Sequence, residues 1–179
     1  MNFVAWTIIA CEIGFWVFIL LGLVSRYIFG KERLGLIFLA MTPVVDLILL
    51  LVTGIDMYRG AKATIAHSIA PIYIAISVVY GKSMIHWADE RFRYYIKRQG
   101  DRPIRRTGMA YAKHSMKGSL KHVLAYCIGA PLLLLMIWMV GVGEQSEELF
   151  NTLKYWGIIV LIDNAISITY FIWPRGEKV

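Results

Sequence analysis

The chain has 179 residues, 58% of them hydrophobic, and 19 Lys/Arg against 12 Asp/Glu give a formal charge of +7. The apolar residues come in blocks of the length that carries a helix across a bilayer, about 20 residues, and not in the short stripes of a water-soluble domain. Open sheets cannot cross lipid and a barrel shows short alternating strands, so the expected fold is an all-α polytopic transmembrane bundle.

Five spans are predicted, at roughly 3–24, 34–53, 64–84, 122–143 and 153–173. Span one is not read as a secretory signal: MNFVAWT lacks a basic start, Glu12 interrupts the apolar run, and no A-x-A-like site follows. Arg26, Lys31 and Arg33 come after it, as in a retained first helix. Span two, in LAMTPVVDLILLLVTG, carries a polar stripe of Thr42, Asp46 and Thr53 at i, i+4 and i+11, and Pro43 lies less than one turn before Asp46. Asp56 sits in the loop beyond. Span three presents His67, Ala70, Ile74, Ser77 and Gly81, a mostly small stripe that allows close helix approach, and Pro71 follows His67 by one turn.

The segment 86–121 is the long insertion, beginning HWADERFRYYIKRQGDRPIRR. Ile85, Ala88, Phe92, Tyr95 and Ile96 form an apolar helical stripe with Arg91, Arg93, Lys97 and Arg98 on other faces, and Gly100 and Pro103 end that helix. The pattern predicts an amphipathic helix over 86–99 lying along the membrane surface. Its cations, with Arg102, Arg105 and Arg106, would face anionic headgroups at about 1 kcal/mol each. A second short helix is expected from about Thr107 into span four. His86, Asp89 and Glu90 have helical spacing for a one-face metal site, though a solvated, ion-paired cluster is the commoner outcome. His114 and His122 have no evident partner nearby in sequence. A nucleic-acid partner is not expected, since a segment tied at both ends to the bilayer has no room for a recognition fold.

Span four contains Cys127, Gly129, Ala130 and Pro131; Cys11 lies in span one. With no CxxC and no Cys/His spacing for zinc, the cysteines read as small apolar fillers. The loop GEQSEEL is acidic. Span five places Asp163, Ser167 and Tyr170 on one stripe with Asn164 beside it. Trp6, Trp87, Trp156 and Trp173 fall near span ends as interfacial anchors.

All the basic residues except Arg59, Lys62 and Lys154 fall on one side of the predicted spans. The positive-inside rule then predicts an N-out, C-in chain with both basic loops cytoplasmic. On that topology Glu12, Asp46 and Asp163 lie about 14, 11 and 15 Å below the outer boundary. Each would cost a few kcal/mol facing lipid, so all three are expected to face one bundle interior.

Three readings follow. Protonated carboxyls can act as interhelical glue, because scarcity of water favours their neutral form. Alternatively Glu12, Asp46, Asp163, Asn164, His67, Thr42, Ser167 and Tyr170 make a proton or cation pathway in a small transport or accessory protein. The third is an intramembrane metal-dependent enzyme, with three carboxylates and Asn164 as oxygen donors. No HExxH, GxSxG or DxD occurs, so no catalytic residue is assigned, no metal is named, no cofactor is evident and a non-enzymatic role is favoured. A scaffold role, binding a partner through the bundle surface and basic loop, is the alternative to transport. Five helices are few for a lone transporter, which makes a homo-oligomer or membrane partner a candidate, with Gly14, Gly129 and Ala130 as contact points.

The chain as a whole, with its TPVVDLILLLVTG second span and HWADERFRYY segment, resembles the YmcC-like group of small integral membrane proteins of Bacillus-type bacteria. That resemblance is of overall layout. It implies a cell-membrane location and carries no activity, so it transfers no functional residue.

Overall fold

The computed structural model describes residues 3–95, Arg98 and 106–174. Five helices follow one another: α1 (Phe3–Tyr27), α2 (Glu32–Tyr58), α3 (Ile65–Tyr95), α4 (Gly108–Val140) and α5 (Glu147–Ile172). Each is long and apolar enough to cross a membrane, and no strand occurs among the described residues. At 1.5 Å per residue, α2 is about 40 Å long and α4 about 50 Å. These lengths exceed the ~30 Å hydrocarbon layer, so the helix ends reach the headgroup zone.

The helices pack in chain order. α1 lies on α2 and α4 on α5, and α3 stands between the two hairpins, touching α2, α4 and α5 and meeting α1 through side chains, while α2 also meets α4 directly. Glycines set the tightest crossing. A Cβ on Gly35 would stand 2.7 Å from the Gly22 carbonyl oxygen, and one on Gly22 would stand 2.7 Å from Leu39 Cγ. Only hydrogen fits between α1 and α2 there.

One apolar cluster, of Met57, Ala63, Leu133, Met136, Ile137 and Leu149, closes the bundle end that carries the acidic loop. Ala63 N–H donates to the Gln145 carbonyl at 2.8 Å and Lys62 pairs with Glu144 at 3.2 Å, tying the two turns of that end. Gly141 ends α4 at φ +91°, which a side chain would oppose. Ser146, fully buried, donates its hydroxyl to the Gly141 carbonyl at 2.8 Å. Elsewhere large apolar side chains point outward, such as Trp138 and Leu161, as lipid-facing surfaces require.

The basic end differs from the sequence expectation. α3 continues without a break through Tyr95, so residues 86–95 prolong the helix of span three and are not a separate helix. Of the apolar stripe that suggested a surface helix, Phe92 stacks on Tyr27 at 4.3 Å, Ile85 and Ala88 are half-buried and Tyr95 is exposed, while Ile96 lies outside the described residues. The helix expected from about Thr107 into span four begins at Gly108 and is continuous with that span to Val140. Lys97, Arg102, Arg105 and the turn with Gly100 and Pro103 lie outside the described residues.

Candidate functional site

Because only residues 28–31 join α1 to α2, positions about equally far from that turn lie at the same level. Glu12 and Asp46 are such a pair. They line one cleft of about 210 Å³, to which α1 also contributes Cys11, Phe15 and Trp16, α2 contributes Leu49, and α3 contributes Ile69 and Tyr73. Phe15 stacks on Tyr73, with centroids 5.3 Å apart and planes within 6°, and meets Trp16 edge-on at 5.8 Å. The cleft thus has aromatic walls with a carboxyl at each side.

The two acids are not equivalent. Asp46 is 1% exposed and its Oδ2 is buried with no hydrogen-bond partner. Glu12 is exposed. A buried, unpartnered carboxyl oxygen is expensive and calls for a proton or a cation.

The remaining residues of the predicted pathway are elsewhere or otherwise engaged. Asp163 does not line this cleft. Its Oδ2 lies 2.8 Å from His122 Nδ1 on α4, and the His122 ring sits 5.4 Å from that of Tyr80. The single three-acid site expected from equal depth is therefore not formed, for two reasons. α5 begins at Glu147, before its apolar run, and α2 runs on to Tyr58. Counted from those helix ends, Glu12, Asp46 and Asp163 lie about 14, 18 and 24 Å deep. In addition, α3 separates α2 from α5. Among the described residues no three His, Cys, Asp or Glu side chains gather as a metal would need, which removes the three-carboxylate metal arrangement.

Thr42 and Thr53 bond within their own helix. Thr42 Oγ1 donates to the Leu39 carbonyl at 2.8 Å, and Thr53 Oγ1 to the Leu49 carbonyl at 2.8 Å. Pro43 has no N–H to give Leu39, so the carbonyl it frees is taken by Thr42 and does not face a ligand. Asn164 Nδ2 similarly donates to the Val160 carbonyl. Ser167 bridges to Ser115 of α4 at 3.0 Å, and Tyr170 meets Tyr111 edge-on at 5.0 Å. His67 is buried at the start of α3. Its Nδ1 accepts from the Thr64 amide at 3.2 Å, which leaves the proton on Nε2, 3.6 Å from Asp56 Oδ2. That pair joins the end of α2 to the start of α3.

The HWADER residues also separate. Asp89 is held by the Arg26 guanidinium through both oxygens, with Nε to Oδ1 at 2.7 Å, and accepts from the Tyr27 hydroxyl at 2.8 Å. His86 pairs with Glu90 at 3.3 Å. Arg91 lies over Trp87, 5.5 Å from the ring centroid. Gly129 and Ala130 are spent inside the chain: a Cβ on Gly129 would be 2.5 Å from the Trp156 ring. They are not free contact points for a second copy, whereas Gly14 has open space around it.

Sequence reasoning missed Phe15, Trp16 and Tyr73 as cleft walls and His122 as the partner of Asp163. Hairpin register would have found the second of these and separated the acids. Counting back from the 28–31 turn pairs Glu12 with Asp46, and counting back from the 141–146 turn brings His122 beside Asp163.

No family model and no solved structure matches the chain. Over 178 residues it is 56% identical to the uncharacterized membrane protein YmcC of Bacillus subtilis (strain 168), covering 99% of this chain and 96% of that protein. Five apolar membrane-length helices and near-complete alignment at this identity agree: the chain is a multi-pass membrane protein of the YmcC family.

Proposed function

We propose that this protein is a small cation- or proton-linked membrane protein, in transport or as an accessory to it, whose binding group is Asp46. The observation that carries this reading is the buried, unpartnered Asp46 oxygen in a cleft it shares with Glu12. Intramembrane acids are costly and are retained mainly where they bind or relay charge. Asp163 with His122 forms a second acid–base pair nearer the basic end, suited to passing a proton onward. The proposed orientation is N-out and C-in, with Arg91, Arg93, Arg98 and Arg106 beside anionic headgroups.

The test is infrared difference spectroscopy between acidic and alkaline pH on the purified protein. We expect a carboxyl band that Asp46→Asn removes while the helical signal stays unchanged. Identical difference spectra in the two proteins would show that Asp46 exchanges no proton. Proteoliposome flux of protons or sodium, lost in the same variant, would extend the result from binding to transport.

A further inference from the structure

We infer that the α1–α3 cleft takes a compact organic cation of the alkylammonium class; this rests on the reading of Asp46 as the binding group. Three features select the ligand. Asp46 Oδ2, buried and with no hydrogen-bond partner, is a desolvated carboxyl oxygen that, once ionised, calls for a counter-charge. Phe15, Trp16 and Tyr73 line the same cleft, with Phe15 and Tyr73 covering one face of each other, and a cation bound against a free ring face is attracted by the ring quadrupole.

The third feature is what the cleft lacks. A hard cation such as calcium seeks six to eight oxygens, but carboxyl oxygen comes here only from Asp46 and Glu12, and the remaining walls are largely carbon. Thr42 and Thr53, on the same helical stripe as Asp46, are turned to their own backbone. A weakly hydrated ammonium with methyl groups loses little by leaving water and matches this lining.

Size and access narrow the class further. The volume of about 210 Å³ is below the ~300–1,000 Å³ typical of drug-sized pockets. Trp16 is 62% exposed and Glu12 is exposed, so part of the α1 wall lies at the bundle surface, which gives a ligand access. Glu12 meets the cation first and Asp46 receives it.

The experiment compares choline with 3,3-dimethylbutan-1-ol, the same skeleton with carbon in place of the charged nitrogen. Both are titrated calorimetrically into the full chain in nanodiscs free of phosphatidylcholine, with protein-free discs as blank. Choline should bind at least tenfold more tightly than its uncharged isostere. Trp16→Leu, at an exposed position that the fold does not need, should weaken choline about fivefold. Asp46→Asn should weaken it by more than tenfold. Equal binding of the two probes, or no effect of Trp16→Leu, overturns the assignment. Asp46-dependent proton or sodium binding without choline binding overturns it too, while leaving the cation-linked reading in place. Absence of all three defeats both.

Discussion

Pro43 and Thr42 show how single residues in this bundle are spoken for. A proline inside α2 leaves the Leu39 carbonyl without its amide donor, and the neighbouring hydroxyl fills the gap at 2.8 Å. Thr42→Val keeps the shape and removes the hydroxyl, so it should lower stability by about 1–2 kcal/mol through an unpaired buried carbonyl. Thermal unfolding in detergent measures this, and cleft binding should persist in the folded fraction. The sequence showed Thr42 and Asp46 on one stripe, yet could not show that the hydroxyl turns back to the backbone, because both arrangements have the same spacing. Arg26 and Asp89 make the converse case. Arg26 read as a charge flanking span one and Asp89 as part of a one-face metal set or solvated cluster, and only the packing of α1 on the end of α3 makes them a forked pair whose carboxylate also accepts from Tyr27. Asp89→Asn should therefore cost about 2 kcal/mol, visible as a lower melting temperature, with Asp89→Glu less harmful than Asp89→Asn.

At the scale of elements, hydropathy marked all five helices, since an apolar run of bilayer length has few alternatives. It marked their ends less well. Residues 86–95 carry charge and aromatic rings, which lowers their hydropathy, but nothing in HWADERFRYY breaks a helix. The backbone accordingly keeps its hydrogen bonds and α3 runs on to Tyr95. A nitroxide scan of positions 80–95 should show accessibility oscillating with one unbroken 3.6-residue period. A phase jump between 84 and 87 would instead mark a separate surface helix. Register between helices is legible only where a turn is short. The four residues between α1 and α2 align Glu12 with Asp46, whereas the long connection between α3 and α4 fixes nothing about their neighbours.

For the whole molecule, the distribution of basic residues predicts which end faces the cytoplasm. The fold supplies better reporters for that prediction than the sequence alone, because Ser146 is buried and structural while Glu144 is exposed. In a background with Cys11 and Cys127 replaced by alanine, an impermeant thiol reagent outside the cell should label Glu144→Cys and spare Lys113→Cys. The reverse pattern would invert the orientation. The three-acid site was not legible because equal depth along a span says nothing of which helices are neighbours. That depends on the order of packing, with α3 placed between the two hairpins.

The glycine crossing of α1 and α2 has a mechanical consequence. Gly22 and Gly35 leave no slack, so the contact acts as a fulcrum, while little of α1 is buried beyond it. Glu12 lies about 15 Å along the arm from Gly22. A tilt of α1 by about 10° would shift Glu12 by about 2.6 Å at that radius, enough to change the width of the mouth while the crossing itself scarcely moves. A methyl group wedged at the fulcrum, as in Gly35→Ala, would consequently be felt at the far end of the lever, where Glu12 and Trp16 meet whatever enters.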